Sequence, residues 1–453
     1  MQRAVVVGGG VAGLAAARDL ADAGCDVLLL EATDRAGGKL RRGEVAGVTV
    51  DVGAEAMIHR RPEGVDLARE LGLPIVHPTG ATSRVWTRGA LRRLPRTLMG
   101  APLDLEELEE TGILGEEGMV RARHQLLPQP DDDASVGELV ATRFGDEVVD
   151  RLVEPLLGGV YAGQARHISA TAAVPQLVDL IARPEFVLPP APADAAPVFA
   201  GVDGGMWRLA EALEADLHGR PGVEVRHGAT VTAIRRTNGG FAVGTSDGEE
   251  TAELLVVATP APPAARLLSD VAPAAADELL QVCYASVALV TLAFRADDGG
   301  VREALDVGAS GFLVPPVDGR QVKASTFSFA KWAWVRAAGE EQGLLVLRTS
   351  LGRFGEQATL QVPDDQLVQA SLADLAAATG LTATPVDAVV QRWGGGLPQY
   401  WVGHLDRVAR VRAAVARVPG LAVCGAAYDG VGVPATIGSA HRAVAELLGA
   451  RSS

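Results

Sequence analysis

Six residues near the start, Gly8-Gly9-Gly10-Val11-Ala12-Gly13, constrain this chain more than any other segment. They follow a short apolar run of strand character, residues 3 to 7, and precede a helical pattern, residues 11 to 23, that ends at Gly24. A second apolar run, 26 to 31, closes on Glu31. Strand, glycine turn, helix and strand make a βαβ opening, which predicts a parallel sheet. In such a turn the first glycine permits the tight reversal, the second lets the backbone approach a pyrophosphate, and the third lets helix and strand pack closely. The N–H groups at the helix start are free to meet an anion. Glu31, eighteen residues past Gly13, is placed to bind ribose hydroxyls and disfavours a 2'-phosphate. NAD and FAD both suit this opening, and NADP does not.

The chain has 453 residues, too many for one core, since single cores stop growing at roughly 250–300 residues; two or three domains are expected. A formal charge of -15 argues against nucleic acid or an anionic membrane as the main partner. Arg3 followed by Ala4 to Ala17 superficially resembles a secretory leader, but glycines interrupt it and Glu31 completes the dinucleotide pattern. No stretch reaches the roughly 18 uncharged apolar residues needed to cross a bilayer, so a soluble, cytoplasmic protein is expected. Cys25, Cys283 and Cys424 are far apart and odd in number, which suggests neither a disulfide framework nor a metal site. Of 41 basic residues only Lys39, Lys323 and Lys331 are lysines, a skew that reads as the codon bias of a GC-rich genome.

Residues 48 to 52 and 83 to 94 read as strands, the latter a hairpin turning near Arg88-Gly89. From about 101 to 180 the pattern is helical. Ser135 and Glu138 form a capping box, Gly145 ends the helix they open, and Pro155 is expected to stop or kink the next one. A Pro/Ala tract, Pro189 to Pro197, reads as an extended connector. Beyond it come a helix over 206–217, strand-rich stretches at 223–257 and 281–351, a helix over 364–379, a strand at 421–424 and a closing helix over 436–449.

Past Glu31 the glycine pair in Arg35-Ala36-Gly37-Gly38-Lys39 and the segment Asp51-Val52-Gly53-Ala54-Glu55 resemble the extended FAD pattern of the amine oxidase and protoporphyrinogen oxidase superfamily. No second G-x-G-x-x-G follows, so no NADPH site is evident and an oxidase is the natural reading. Four further stretches resemble the porphyrinogen oxidases, including the coproporphyrinogen oxidases of Gram-positive, actinobacterial type: 83–86, 151–163, 397–405 and 428–434. The resemblance implies an α/β fold in three parts. These are a Rossmann-type FAD-binding domain (1–76, 200–265 and 393–453), a mixed-sheet substrate-binding domain (77–100, 176–199 and 266–392) and a helical insertion (101–175). It implies FAD contacts at Gly8, Gly9, Gly10, Val11, Ala12, Gly13, Glu31, Ala32, Gly38, Lys39, Gly53, Ala54, Glu55, Ala56 and Val231, with Trp393, Val431, Gly432 and Val433 near the isoalloxazine. For Val231 and Trp393 a plain core position is the competing reading.

The implied reaction removes six hydrogens from a porphyrinogen, with FAD as acceptor and molecular oxygen resetting it. No Ser/His/Asp or Cys/His arrangement suggests a protein nucleophile, and the catalytic residues stay unassigned. The protein must supply an apolar slot and cations for the propionates. The hairpin carries Arg84, Arg88, Arg92, Arg93 and Arg96; a solvated edge strand is the competing reading, more so for the last four than for Arg84, which the resemblance places opposite a substrate carboxylate. Leu313 matches a pocket leucine, with plain core as its alternative, and Ser350 stands where some eukaryotic members carry Met. Ala435-Thr436 replace an acidic residue and a cysteine common in relatives. The acidic start of the helical part, from Asp104 to Glu117 with Asp131 to Asp133, argues against membrane insertion. Coproporphyrinogen III is the expected substrate and protoporphyrinogen IX the alternative. An amine oxidase, a carotenoid-type desaturase and a non-catalytic flavin or porphyrin carrier are more remote. A contact with ferrochelatase, and a monomer or a homodimer, are open.

Overall fold

The computed structural model describes residues 1–129, 133–188 and 197–449. Its N-terminal segment forms strand Arg3–Val7, helix Val11–Asp22 and strand Asp26–Leu30. These strands lie in a five-stranded parallel sheet, in the order Val223–Arg226, Asp26–Leu30, Arg3–Val7, Leu254–Val257 and Leu421–Val423. Alternate residues serve opposite cores. Ala4, Val6, Val27, Leu29, Leu254 and Val256 pack with the helices Val11–Asp22, Trp207–His218 and Val433–Gly449. Val5, Val7, Leu28, Leu30, Leu255 and Val257 pack against a three-stranded antiparallel sheet and the helices Ala261–Leu268, Pro273–Leu280 and His404–Val415. Burial of both faces is why these strands read as unbroken apolar runs.

A second, seven-stranded sheet runs Asp387–Pro398, Tyr284–Arg295, Leu344–Leu351, Val322–Thr326, Ala309–Leu313, Thr82–Thr87 and Ala90–Arg93. It is antiparallel except where Ala309–Leu313 runs parallel to Thr82–Thr87. The hairpin turn falls at Arg88 and Gly89, both at positive φ (52° and 73°). One face, with Trp86, Phe312, Leu345 and Leu347, packs on helix Asp364–Thr379. The domain boundary expected at 393 falls inside strand Asp387–Pro398, where pairing with Tyr284–Arg295 runs from Asp387 to Trp393, skips residues 394 to 396 and resumes at Leu397 and Pro398.

The helical part gathers Leu108, Leu139, Val140, Phe144, Leu152, Leu157 and Leu177 into its own core, which also takes Val85 from the sheet. Ser135 caps its helix through Glu138 N (3.1 Å) and Gly145 ends it at φ 98°. Pro155 does not stop the chain. A π turn over Val149–Val153 leads straight into helix Glu154–Tyr161, with the proline in its first turn, where its missing N–H and ring are tolerated. Among the described residues no helix is long and apolar enough to cross a membrane. Most of the Pro189–Pro197 connector, together with Asp131 and Asp132, lies outside the described residues.

Candidate active site

A continuous cavity of about 1580 Å³ runs from the N-terminal glycine turn to the seven-stranded sheet. Single small-molecule sites occupy roughly 300–1,000 Å³, so this one has room for two ligands end to end.

At its first end the glycines divide the work. A Cβ on Gly13 would fall 1.8 Å from Gly8 O, so the third glycine serves helix–strand packing. Gly8 holds φ 104° beside Ala258 O. A Cβ on Gly10 would meet nothing within 4 Å and would project into open space. Gly8, Gly10, Val11 and Ala12 line the cavity, whereas Gly9 and Gly13 stand behind it. Gly9 N donates to Glu31 Oε2 (2.7 Å), and Thr33 N and Oγ1 donate to Glu31 Oε1 (2.9 and 2.7 Å). Three of the carboxylate's roughly four acceptor positions are thereby used, and the group is aimed at the cavity with capacity to spare. Ala32 and Val231 lie on the wall nearby.

The second glycine pair belongs to the same construction. Gly37 N donates to Gly9 O (2.7 Å), and a Cβ on Gly38 would come within 3.2 Å of the Gly10 Cα. Lys39 is accessible from the cavity yet surrounded by protein, and desolvation holds its ammonium below the usual lysine range. Asp51, three residues ahead of the Ala54 wall position, instead caps helix Trp207–His218, accepting from Met206 N (2.9 Å) and Trp207 N (3.0 Å).

Midway, Gly53, Ala54, Glu55 and Ala56 line the wall. Glu55 is 8% exposed and is met by Lys331 Nζ at 2.5 Å and Arg348 Nη2 at 3.2 Å. Burial alone raises a carboxyl, but the fields of Arg348 and Lys331 outweigh it and hold Glu55 below its usual range. Arg348 also donates to Gly53 O (2.8 Å), and Trp393 Nε1 donates to Val52 O (3.0 Å). Trp393 thus stands on the wall with its ring oriented by the backbone, and it is no plain core aromatic. Opposite, Tyr400 Oη accepts from Gly430 N (2.8 Å) and donates to Ala426 O (2.6 Å). The loop it clamps presents Val431, Gly432 and Val433 to the cavity. Tyr400 stacks on His404 at 3.9 Å between centroids, and burial lowers that imidazole to about 4, so it is neutral.

At the far end Leu313, Ala324 and Ser350 are in register across three strands and share the wall with Leu289, Gly159 and Val160. Leu313 is therefore a wall residue and not plain core. Arg84 does not join them. Its register partner is Phe312, whose ring lies in the opposite core with Trp86, two residues on from Arg84 along the strand. Val85, not Arg84, pairs with Leu313. The remaining hairpin arginines are taken up locally. Arg93 pairs with Glu107 (2.8 Å), Arg96 with Glu107 (3.0 Å) and Asp104 (3.1 Å), Arg88 with Glu147 (3.7 Å), and Arg92 donates to Thr111 O (3.3 Å). The basic hairpin and the acidic helix start answer each other. Several wall cations, Arg348, Lys323 and Lys331 among them, escaped assignment from sequence; for Arg348 and Lys323 the signal available was a single charged residue within an otherwise uncharged strand.

The fit to a dinucleotide flavin rests on the open space at Gly10, the free helix start and the carboxylate of Glu31. The family model described as flavin-containing amine oxidoreductase matches residues 11–448. The chain belongs to this family. Within the flavin-containing amine oxidoreductases it is 36% identical over 459 residues to the coproporphyrinogen III oxidase of Mycobacterium tuberculosis, covering 98% of this chain and 96% of that protein. With the coproporphyrinogen III oxidase of Bacillus subtilis the identity is 30% over 470 residues, covering 98% and 97%. A crystal structure from Exiguobacterium sp. 255-15, assigned as a protoporphyrinogen oxidase, superposes with a TM-score of 0.86 at 32% identity and covers 99% of each chain.

Proposed function

We propose that this chain oxidises coproporphyrinogen III to coproporphyrin III, with FAD as cofactor and molecular oxygen as final acceptor. The observation that carries the reading is one cavity joining a dinucleotide-type glycine turn to an apolar slot, in a chain related end to end to coproporphyrinogen III oxidases. Bound FAD would accept six hydrogens in three two-electron steps, and three O₂ would leave as three H₂O₂. The protein's part is to hold and orient. The first turn of helix Val11–Asp22 would take the pyrophosphate and Glu31 the ribose. Trp393 and Val431–Val433 would border the ring, and Leu313, Ala324 and Ser350 would hold the macrocycle and keep water away. The division into nucleotide, substrate and helical parts, a cytoplasmic location and docking of a ferrochelatase belong to the same proposal.

The second reading, protoporphyrinogen IX as substrate, is favoured by the assignment of the Exiguobacterium structure. Incubating the purified yellow protein with each porphyrinogen separates the two. Porphyrin fluorescence should grow faster with coproporphyrinogen III, with three peroxides per porphyrin. Growth no faster than without enzyme would end the oxidase reading, and a preference for protoporphyrinogen would exchange the substrates.

A further inference from the structure

Lys323 stands at a break in the seven-stranded sheet. Val322 pairs with Leu351 and Ala324 with Ser350, which leaves Lys323 as an extra residue with no counterpart. Such a bulge re-aims the side chain it carries. Here the residue is 6% exposed and lies on the wall of the cavity, beside Leu313 and Ala324.

The ammonium is short of an anion. Among the described residues Lys323 makes no hydrogen bond through its side chain and no ion pair, and the charges that act on it are two cations, Arg353 and Arg348. Neither has an anion to lend. Arg348 faces Glu55, which Lys331 already shares, and Arg353 reaches Glu356 (3.6 Å) while donating to Arg320 O and Val314 O. Of the acids on the cavity wall, Glu31 is at the opposite end and Asp429 is paired with Arg412 and Arg442. Burial, and after it the two arginines, press the Lys323 amine down to about 7. An unpaired cation in an apolar wall is costly. In addition, this chain answers its surface acids with arginine, and all three of its lysines stand on this one cavity.

We infer that Lys323 receives a carboxylate of the substrate inside the slot and so selects for a macrocycle with more than two propionates. The inference rests on the porphyrinogen reading above. A dipropionate macrocycle carries its two carboxylates on neighbouring rings. Turned toward the exposed rim at Arg60, Val198 and Phe199, they would leave Lys323 unpaired; turned inward, they would leave the rim arginine unmet. A tetrapropionate substrate satisfies both at once.

Equilibrium binding tests this on flavin-loaded protein, with coproporphyrin III and its tetramethyl ester as probes and porphyrin fluorescence as the readout. The expected result is that Lys323→Met weakens the acid by about 10- to 100-fold and leaves the ester unchanged, with flavin content and unfolding midpoint retained. Lys323→Arg should recover part of the loss. In the wild type the Kd for the acid should rise from pH 7 to 9, as an amine near 7 loses its proton, and this slope should vanish in Lys323→Met. Glu154, which acts on Arg353 and which burial raises to about 7, titrates near that window; Glu154→Gln should keep the slope. Asp374 also acts on Arg353 and is tied to Val322 N. Equal binding of the acid by wild type and Lys323→Met overturns the inference while leaving the oxidase reading intact. A wild type that neither binds coproporphyrin III nor oxidises its porphyrinogen overturns both.

Discussion

Lys331 Nζ lies 2.5 Å from Glu55 Oε1, and this contact ties the segment after the fourth strand of the chain, Val48–Asp51, to the short helix Ser328–Lys331 across 276 residues of sequence. Arg348 holds the other oxygen of the same carboxylate. Removing Lys331 leaves a buried carboxylate with one partner in place of two, a change that typically costs several kcal/mol in a fully buried pair and less here, where Lys331 is partly exposed. Lys331→Met is expected to lose about 2 kcal/mol of unfolding free energy and to purify with reduced flavin. Denaturant melts and the ratio of visible to ultraviolet absorbance check both; an unchanged pair of values would mean that Arg348 alone suffices.

Gly10 and Gly13 are expected to fail differently when substituted. The space beyond Gly10 is open, so Gly10→Val should fold normally, with a native circular dichroism spectrum, and emerge colourless if that space holds the pyrophosphate as proposed. Gly13→Ala places a carbon 1.8 Å from Gly8 O and should lower stability itself. A Gly10→Val protein carrying full flavin would remove the phosphate assignment.

Arg143 is 1% exposed and fills the end of the helical part by donating to Gln125 Oε1 and to the carbonyls of Ile181, Arg183 and Pro184, at 2.5–2.9 Å. It lies over Phe144 and Phe186 as well. Arg143→Leu keeps bulk but orphans those acceptors, each worth about 1–3 kcal/mol when buried. A loss of about 3 kcal/mol is expected, with faster proteolysis near residue 185 as a local readout; wild-type resistance would show that the carbonyls find water instead.

His441 Nδ1 and Asp19 Oδ2 are 2.6 Å apart and join the closing helix to the first helix of the nucleotide fold. The hydrogen bond to Asp19 raises the imidazole above 6.5 against some desolvation. A histidine raised in the folded state contributes stability that is fully present below its unfolded pKa and is lost as pH climbs through the folded value. The thermal midpoint should therefore decline modestly from pH 6.5 to 8, because the side chain is 40% exposed and solvent screens the pair. His441→Gln should flatten that decline, and an identical slope in the variant would assign the pH dependence elsewhere.

The glycine turn at the first end of the cavity was legible in the sequence because its logic is local. Gly8 to Gly13 and Glu31 act through one turn and the strand beside it, and the cap of Ser135 on Glu138 lies within three residues. Even so, the sequence said only that Pro155 would stop or kink its helix, and the backbone shows that the chain passes through a π turn and continues.

The far end of the cavity, at the seven-stranded sheet, was decided by contacts between distant strands. Residues 83 to 94 do form the expected hairpin, but Val85 and Trp86 are both buried, in different cores, so pattern alone could not say which face of the sheet the slot would occupy. That choice came from the pairing of Val85 with Leu313, more than two hundred residues away, and it sends Arg84 to the far side. Lys323 owes its place to a one-residue slip against Leu351 and Ser350, a feature of two strands together and of neither alone. Side-chain direction in a sheet inverts with every residue of register, so residues whose types the sequence states plainly acquire their roles only when the strands have found their partners.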